Sequence, residues 1–372
     1  MGLDEHCRNT KSIWSVIAAA PADAAFAGLL TGFMISAIAF LLGRERQEDK
    51  ILHAVALFAP GLLVLALACN QFVGITAIAP NMGQDAAPQT KPEVVCSVAW
   101  TQGMTAQGML GVGFVVAVAG LVWMMAHAVD GNIDRDAPEG GGQDRRTLIH
   151  LGNFLVFVAI ATVSLLLTNG SLSYYDMMGT VGVHPPNPMK AVIWWTFGIM
   201  MAVDAAIISV RTAGYYLVRH KRIHGKWDER GEPRAARYLR RGFVVCVVVL
   251  TAGMALMAPL HAGLVSQGNS APGNVAAFFA VALGMFYPFA IFLFISASVP
   301  GPDFWYWDII FDTKGRREAT AKKPGSRPPA SAATSRHAVD PTQASGEHLG
   351  DDGVGLGRSR EGGAQELGRP LV

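Results

Sequence analysis

Hydrophobic residues in this chain follow neither a two-residue alternation nor a one-faced helical stripe; they come in long unbroken runs. Seven runs occupy 24–43, 51–73, 105–128, 150–170, 191–211, 242–265 and 275–299. A bilayer's hydrocarbon layer is ~30 Å thick and an α-helix rises ~1.5 Å per residue, so a span takes about 20 apolar residues. Each run is long enough, and each is too long for the ~10-residue strand of a membrane barrel. Backbone N–H and C=O groups find no water in lipid, so each run must satisfy them within itself. The pattern therefore predicts an all-α fold, a polytopic integral membrane protein with a seven-transmembrane-helix bundle over 24–300.

The segments between the runs give the rest of the organisation. Residues 1–23 form an N-terminal extracytoplasmic segment; Asp4 and Glu5 balance Arg8 and Lys11 there, a poor match to the positive start of a cleavable signal. The connection 74–104 is the longest outer loop, ordered in part where VVCSVAWTQGM runs uncharged into the third span. In 211–241 the fifth helix is expected to continue to about His220, turn through Gly225 to Pro233, and give way to the sixth helix at Ala235. Phe304, Trp307, Ile310 and Phe311 mark 301–312 as a short interfacial helix. Residues 313–372, rich in Gly, Ala, Ser, Pro and Arg, read as a disordered cytoplasmic tail that cannot bury enough surface to offset its chain entropy.

Composition agrees and adds an exclusion. With 51% hydrophobic and only 16% charged residues, and a mean hydropathy of +0.32 despite the polar tail, a soluble two-domain enzyme, a disordered chain and a disulfide scaffold are all excluded. Charge then supplies a direction. Of the 30 Lys and Arg, 26 fall on one predicted side, including ten in 211–241, and only Arg8, Lys11, Lys91 and Lys190 on the other. Basic residues are retained on the cytoplasmic side. The expectation is a plasma-membrane protein with its N-terminus outside and its C-terminus in the cytoplasm. Its partners are the bilayer itself, anionic headgroups at the basic 211–241 loop, and a cytoplasmic protein recruited by the tail; no nucleic acid is expected.

Candidate chemistry inside the bundle is sparse. Asp204, in IMMAVDAAIISVR, is the one carboxylate deep in a predicted span, three residues past its midpoint. Intramembrane ionisable groups are rare and face the bundle or a water cavity, so Asp204 is a candidate proton or cation site; a structural role, bonded to a hydroxyl such as Thr251 or Ser164, is the alternative. Asp176, His184 and His261 could form an outer polar cluster, a donor set suited to zinc or copper. His53, His127 and His150 share the inner level, where imidazoles could hold a haem. Cys69 and Cys96 are placed to form a disulfide on the outer side, where such bonds persist. Pro60, Pro259 and Pro288 interrupt three spans and predict kinks, while Gly28–Gly32 and Ala280–Gly284 are small-residue pairs expected to pack within the bundle.

Seven spans with an outside N-terminus is also the topology of opsins and heptahelical receptors, but no span holds a lysine and MMAHAVDGN and YPFAIFLF stand where receptor motifs would be. No family follows. Neither HExxH nor GxSxG occurs, so an enzyme is disfavoured, and no cofactor or metal is expected. The leading expectation is a small-solute or proton/cation transport-type protein using Asp204. The alternative is a non-catalytic sensor or scaffold working through the 211–241 loop and tail, and the third reading is a b-type haem protein.

Overall fold

Each apolar run becomes a helix, and most helices extend beyond the run that defines them. The computed structural model of the chain describes Cys7 and residues 15–43, 49–81, 92–131, 141–180, 188–223, 234–266 and 273–298; at 49–53, 78–81, 126–131, 141–146, 148–149, 211–223 and 234–241 it describes the backbone alone. The helices are α1 (Val16–Leu42), α2 (Asp49–Asn81), α3 (Pro92–Gly131), α4 (Gly141–Thr180), α5 (Met189–Ile223), α6 (Arg234–Ser266) and α7 (Asn274–Ser298). All seven are long and apolar enough to cross a membrane. The chain clusters as two units, Met1–Thr320 and Ala321–Val372, the second wholly outside the described residues.

Among the boundaries that differ from the apolar count, two helix starts have a local reason. α1 begins at Val16, because the alanines of VIAAAPADAA are strong helix formers and carry Pro21 and Asp23 into the helix. α3 begins at Pro92, which has no N–H to lose at the first helical position, with Glu93 favourably placed in the first turn. Most of the expected 74–104 loop is therefore helical. Between α5 and α6 the expected helix ends agree with Ile223 and Arg234. The turn itself, the 301–312 interfacial helix and the 313–372 tail lie outside the described residues.

α3 occupies the middle of the bundle, packing on α2, α4, α6 and α7 and touching α1, while α1 lies mainly against α2. Its buried Trp100, Met109 and Trp123 anchor the core together with Phe58 and Phe72 of α2 and Phe292 of α7. α5 is peripheral, held by α4 and α7, and exposes Trp195 and Ile199 at 71% and 59%. Leu29, Leu166, Val249 and Leu264 are likewise turned outward. In water such a surface would aggregate; in lipid it costs nothing, since acyl chains are as apolar as the side chains.

The middle of α7 departs from α-geometry. Ala282–Phe286 form one π-helical turn, closed by the Tyr287 N–H on the Ala282 carbonyl. Pro288 follows at once; a proline ring inside a regular helix would collide with the carbonyl four residues back, and a widened turn makes room for it. The same stretch comes very close to α3: a Cβ added to Gly108 would lie 2.7 Å from the Gly284 Cα. Ala280–Gly284 thus packs inside the bundle as expected. Gly28–Gly32 does not: both glycines have open space where a Cβ would stand, on the outward face of α1. The small residues there face away because α1 meets α2 through Ala24, Ala27, Met34, Ala37 and Leu41 instead.

Candidate functional site

Asp204 sits on α5 with no exposed surface. The α5 face that carries it turns inward because Trp195, Ile199 and Val203 take the outward positions. Its Oδ1 accepts a hydrogen bond from the Ser296 hydroxyl of α7, itself buried. Neither hydroxyl proposed from the sequence is the partner: Ser164 Oγ and Thr251 Oγ1 are buried without a hydrogen bond. Thr251 belongs to α6, which packs on α2, α3 and α7 rather than forming the α5 seam. The Asp204–Ser296 contact spans 92 residues of sequence, and no local pattern marks Ser296 as the partner.

A buried carboxyl bonded to a hydroxyl can do one thing well. Ionised, it accepts a charge-assisted hydrogen bond roughly twice as strong as the neutral one. The strength of this one α5–α7 hydrogen bond would therefore differ between the two protonation states. No neighbouring metal-binding set competes with this reading: among the described residues no three His, Cys, Asp or Glu side chains come together.

Of the expected outer cluster, Asp176 and His261 fall among the described residues. Asp176, near the end of α4, is ion-paired with Lys190 at the start of α5, whose ammonium lies 5.4 Å from the centre of the Tyr175 ring. His261, on α6, is 6.3 Å from the Phe279 ring. His184 lies outside the described residues. Lys190, absent from the expected cluster, is thus a partner of Asp176, fourteen positions further along the chain. Of the inner histidines, His150 is half-buried, and the side chains of His53 and His127 are outside the described set.

The expected Cys69–Cys96 disulfide is corrected. Cys96 pairs with Cys7, the two Cα atoms being 5.0 Å apart, and Cys69 is a free thiol. Position decides this: Cys69 faces α1, where its Sγ donates to the Ala24 carbonyl at 3.4 Å, whereas Cys96 lies on the first turns of α3. There the Trp100 Nε1 also donates to the Cys7 carbonyl at 2.9 Å. The pairing over 89 residues had no signature beyond a cysteine in each segment.

Other cross-helix polar contacts join α3 to its neighbours. Thr101 and Tyr174 share a buried hydrogen bond of 3.1 Å, and Thr105 donates to Gln71 at 3.4 Å. Tyr287 donates to the Leu250 carbonyl at 2.9 Å, fixing α7 to α6 beside the π turn. Asp23, half-buried on α1, also lies within a membrane-length helix; the sequence reading placed it before the first span.

A comparison with family models, curated proteins and solved structures gave no match.

Proposed function

We propose that the protein is a plasma-membrane transport-type protein, N-terminus outside and C-terminus cytoplasmic, in which protonation of Asp204 is coupled to movement of α5 against α7. The observation that carries this reading is the fully buried Asp204–Ser296 contact between a core helix and the peripheral helix α5. Burying an ionised carboxylate costs several kcal/mol unless it is well bonded. A protein that needed only packing at this seam would do better with an apolar residue. The π turn and Pro288 earlier in α7 supply a point at which that helix can flex. Orientation is supported by the 26-to-4 division of basic residues and by the Cys7–Cys96 bridge, which joins two segments of the side expected to be oxidising.

The test is proton flux into liposomes holding the purified full-length chain, driven by an imposed pH gradient and read with an entrapped pH-sensitive dye. Wild type should carry protons, and Asp204→Asn should abolish the flux while keeping the wild-type helix content and melting behaviour. A mutant as active as wild type, or a wild type that carries none, sinks the proposal. The sensor or scaffold alternative keeps its sequence support only, since the 224–233 turn and the tail lie outside the described residues.

A further inference from the structure

A cavity of about 290 Å³ opens between α4, α5 and α7 at the end of the bundle that carries Cys7. Tyr174, Met178, Ala277 and Val281, the buried residues of its lining, form its inner walls. The hydroxyl of Tyr174 is bonded to Thr101, so the deep part of the cavity offers a ligand rings and aliphatic chains and little else. A polar solute would lose its water there without replacement. The deep occupant is therefore hydrocarbon. Val275 and Phe278, 70% and 47% exposed on the outside of the bundle, line it as well, which opens it sideways to where lipid chains lie.

The mouth has a different chemistry. Tyr175 and Asn274 stand in the wall there, and the Lys190 ammonium lies over the Tyr175 ring, paired with Asp176. Lys190 and Asn274 are each at the beginning of a membrane-length helix, the level at which headgroups sit. Lys190 and Asp176 are next in sequence to the lining residues Met189 and Tyr175, and their side chains are 43% and 24% exposed, so both signs of charge stand beside the cavity lining. A single anionic headgroup would meet the lysine but also the aspartate. A headgroup with a phosphate and an ammonium matches both.

We propose that this cavity binds one chain of a zwitterionic phospholipid, with the phosphate at Lys190 and Asn274 and the ammonium at Asp176. Whole-ligand pockets run from roughly 300 to 1,000 Å³, so this cavity suits a chain rather than the entire lipid. The site is independent of the reading of Asp204, which lies farther along α5 toward the other end of the bundle.

The experiment is native mass spectrometry of the delipidated full-length protein titrated with phosphatidylethanolamine, phosphatidylglycerol or diacylglycerol. One phosphatidylethanolamine should bind ahead of the rest, with phosphatidylglycerol and diacylglycerol each weaker. Val281→Trp, which fills the cavity, should remove that first binding event. Lys190→Gln should weaken it roughly tenfold through loss of a charge-assisted contact. Asp176→Asn, at the mouth and so least disturbing to the fold, should shift the preference toward phosphatidylglycerol. Equal first binding by wild type and a folded Val281→Trp, diacylglycerol binding as tightly as phosphatidylethanolamine, or an unchanged headgroup preference in Asp176→Asn would each overturn the proposal.

Discussion

At the scale of single residues, two contacts have consequences that can be measured separately. Ser296→Ala removes one hydrogen-bond donor to the buried Asp204, and leaving a buried group short of a partner costs about 1–3 kcal/mol. The variant should melt earlier than wild type and lose proton flux, whereas Ser296→Thr, which keeps the hydroxyl, should retain both. If Ser296→Ala melts and transports as wild type, the contact is incidental. The second is the covalent bond. Of four cysteines, two are free; a thiol-reactive polymer should add two units to the unfolded, unreduced chain and four after reduction. Cys7→Ser should lower stability by roughly 2–5 kcal/mol, the range for closing a long loop, while Cys69→Ser leaves the bridge intact. Labelling of all four before reduction would exclude it.

At the scale of elements, α7 and α3 are constrained by their closest approach and α1 is not. Gly108→Ala puts a methyl 2.7 Å from the Gly284 backbone, and backbone cannot rotate aside as a side chain does. Overpacking of this kind costs about 1–3 kcal/mol, visible as a lower melting temperature in detergent. Gly28→Ala and Gly32→Ala, with open space at both positions, should change stability by less than about 0.5 kcal/mol. Comparable losses at all three positions would mean that α1 packs differently from the arrangement described. The contrast also shows where sequence spacing fails. Both small-residue pairs have the same four-residue period, but period alone does not say whether a neighbouring helix lies on that face.

At the scale of the whole molecule, the division of charge and the disulfide lead to one expectation about sidedness. In intact cells an epitope at the N-terminus should be reached by an antibody from outside, and one at the C-terminus only after permeabilisation. The reverse pattern would overturn the orientation and would place the Cys7–Cys96 bridge in a reducing compartment, where it would not persist. Without the ten Lys and Arg of the tail the division is still 16 to 4, and the short basic connections near the spans are what set orientation.

The seven membrane-length helices among the described residues and their apolar character were determined by the sequence, because a bilayer imposes a length and a polarity that can be read along one dimension. The presence of a buried carboxylate at Asp204 was legible for the same reason. Helix ends were less so: Val16 and Pro92 start helices within stretches that apolarity alone left outside, since alanine propensity and a first-position proline extend a helix past its hydrophobic run. Partners were decided only by tertiary structure. Ser296 for Asp204, Lys190 for Asp176 and Cys7 for Cys96 each require knowing which helices adjoin and how they are rotated. A uniformly apolar helix carries little sign of its inward face, because lipid and core make the same demand of it.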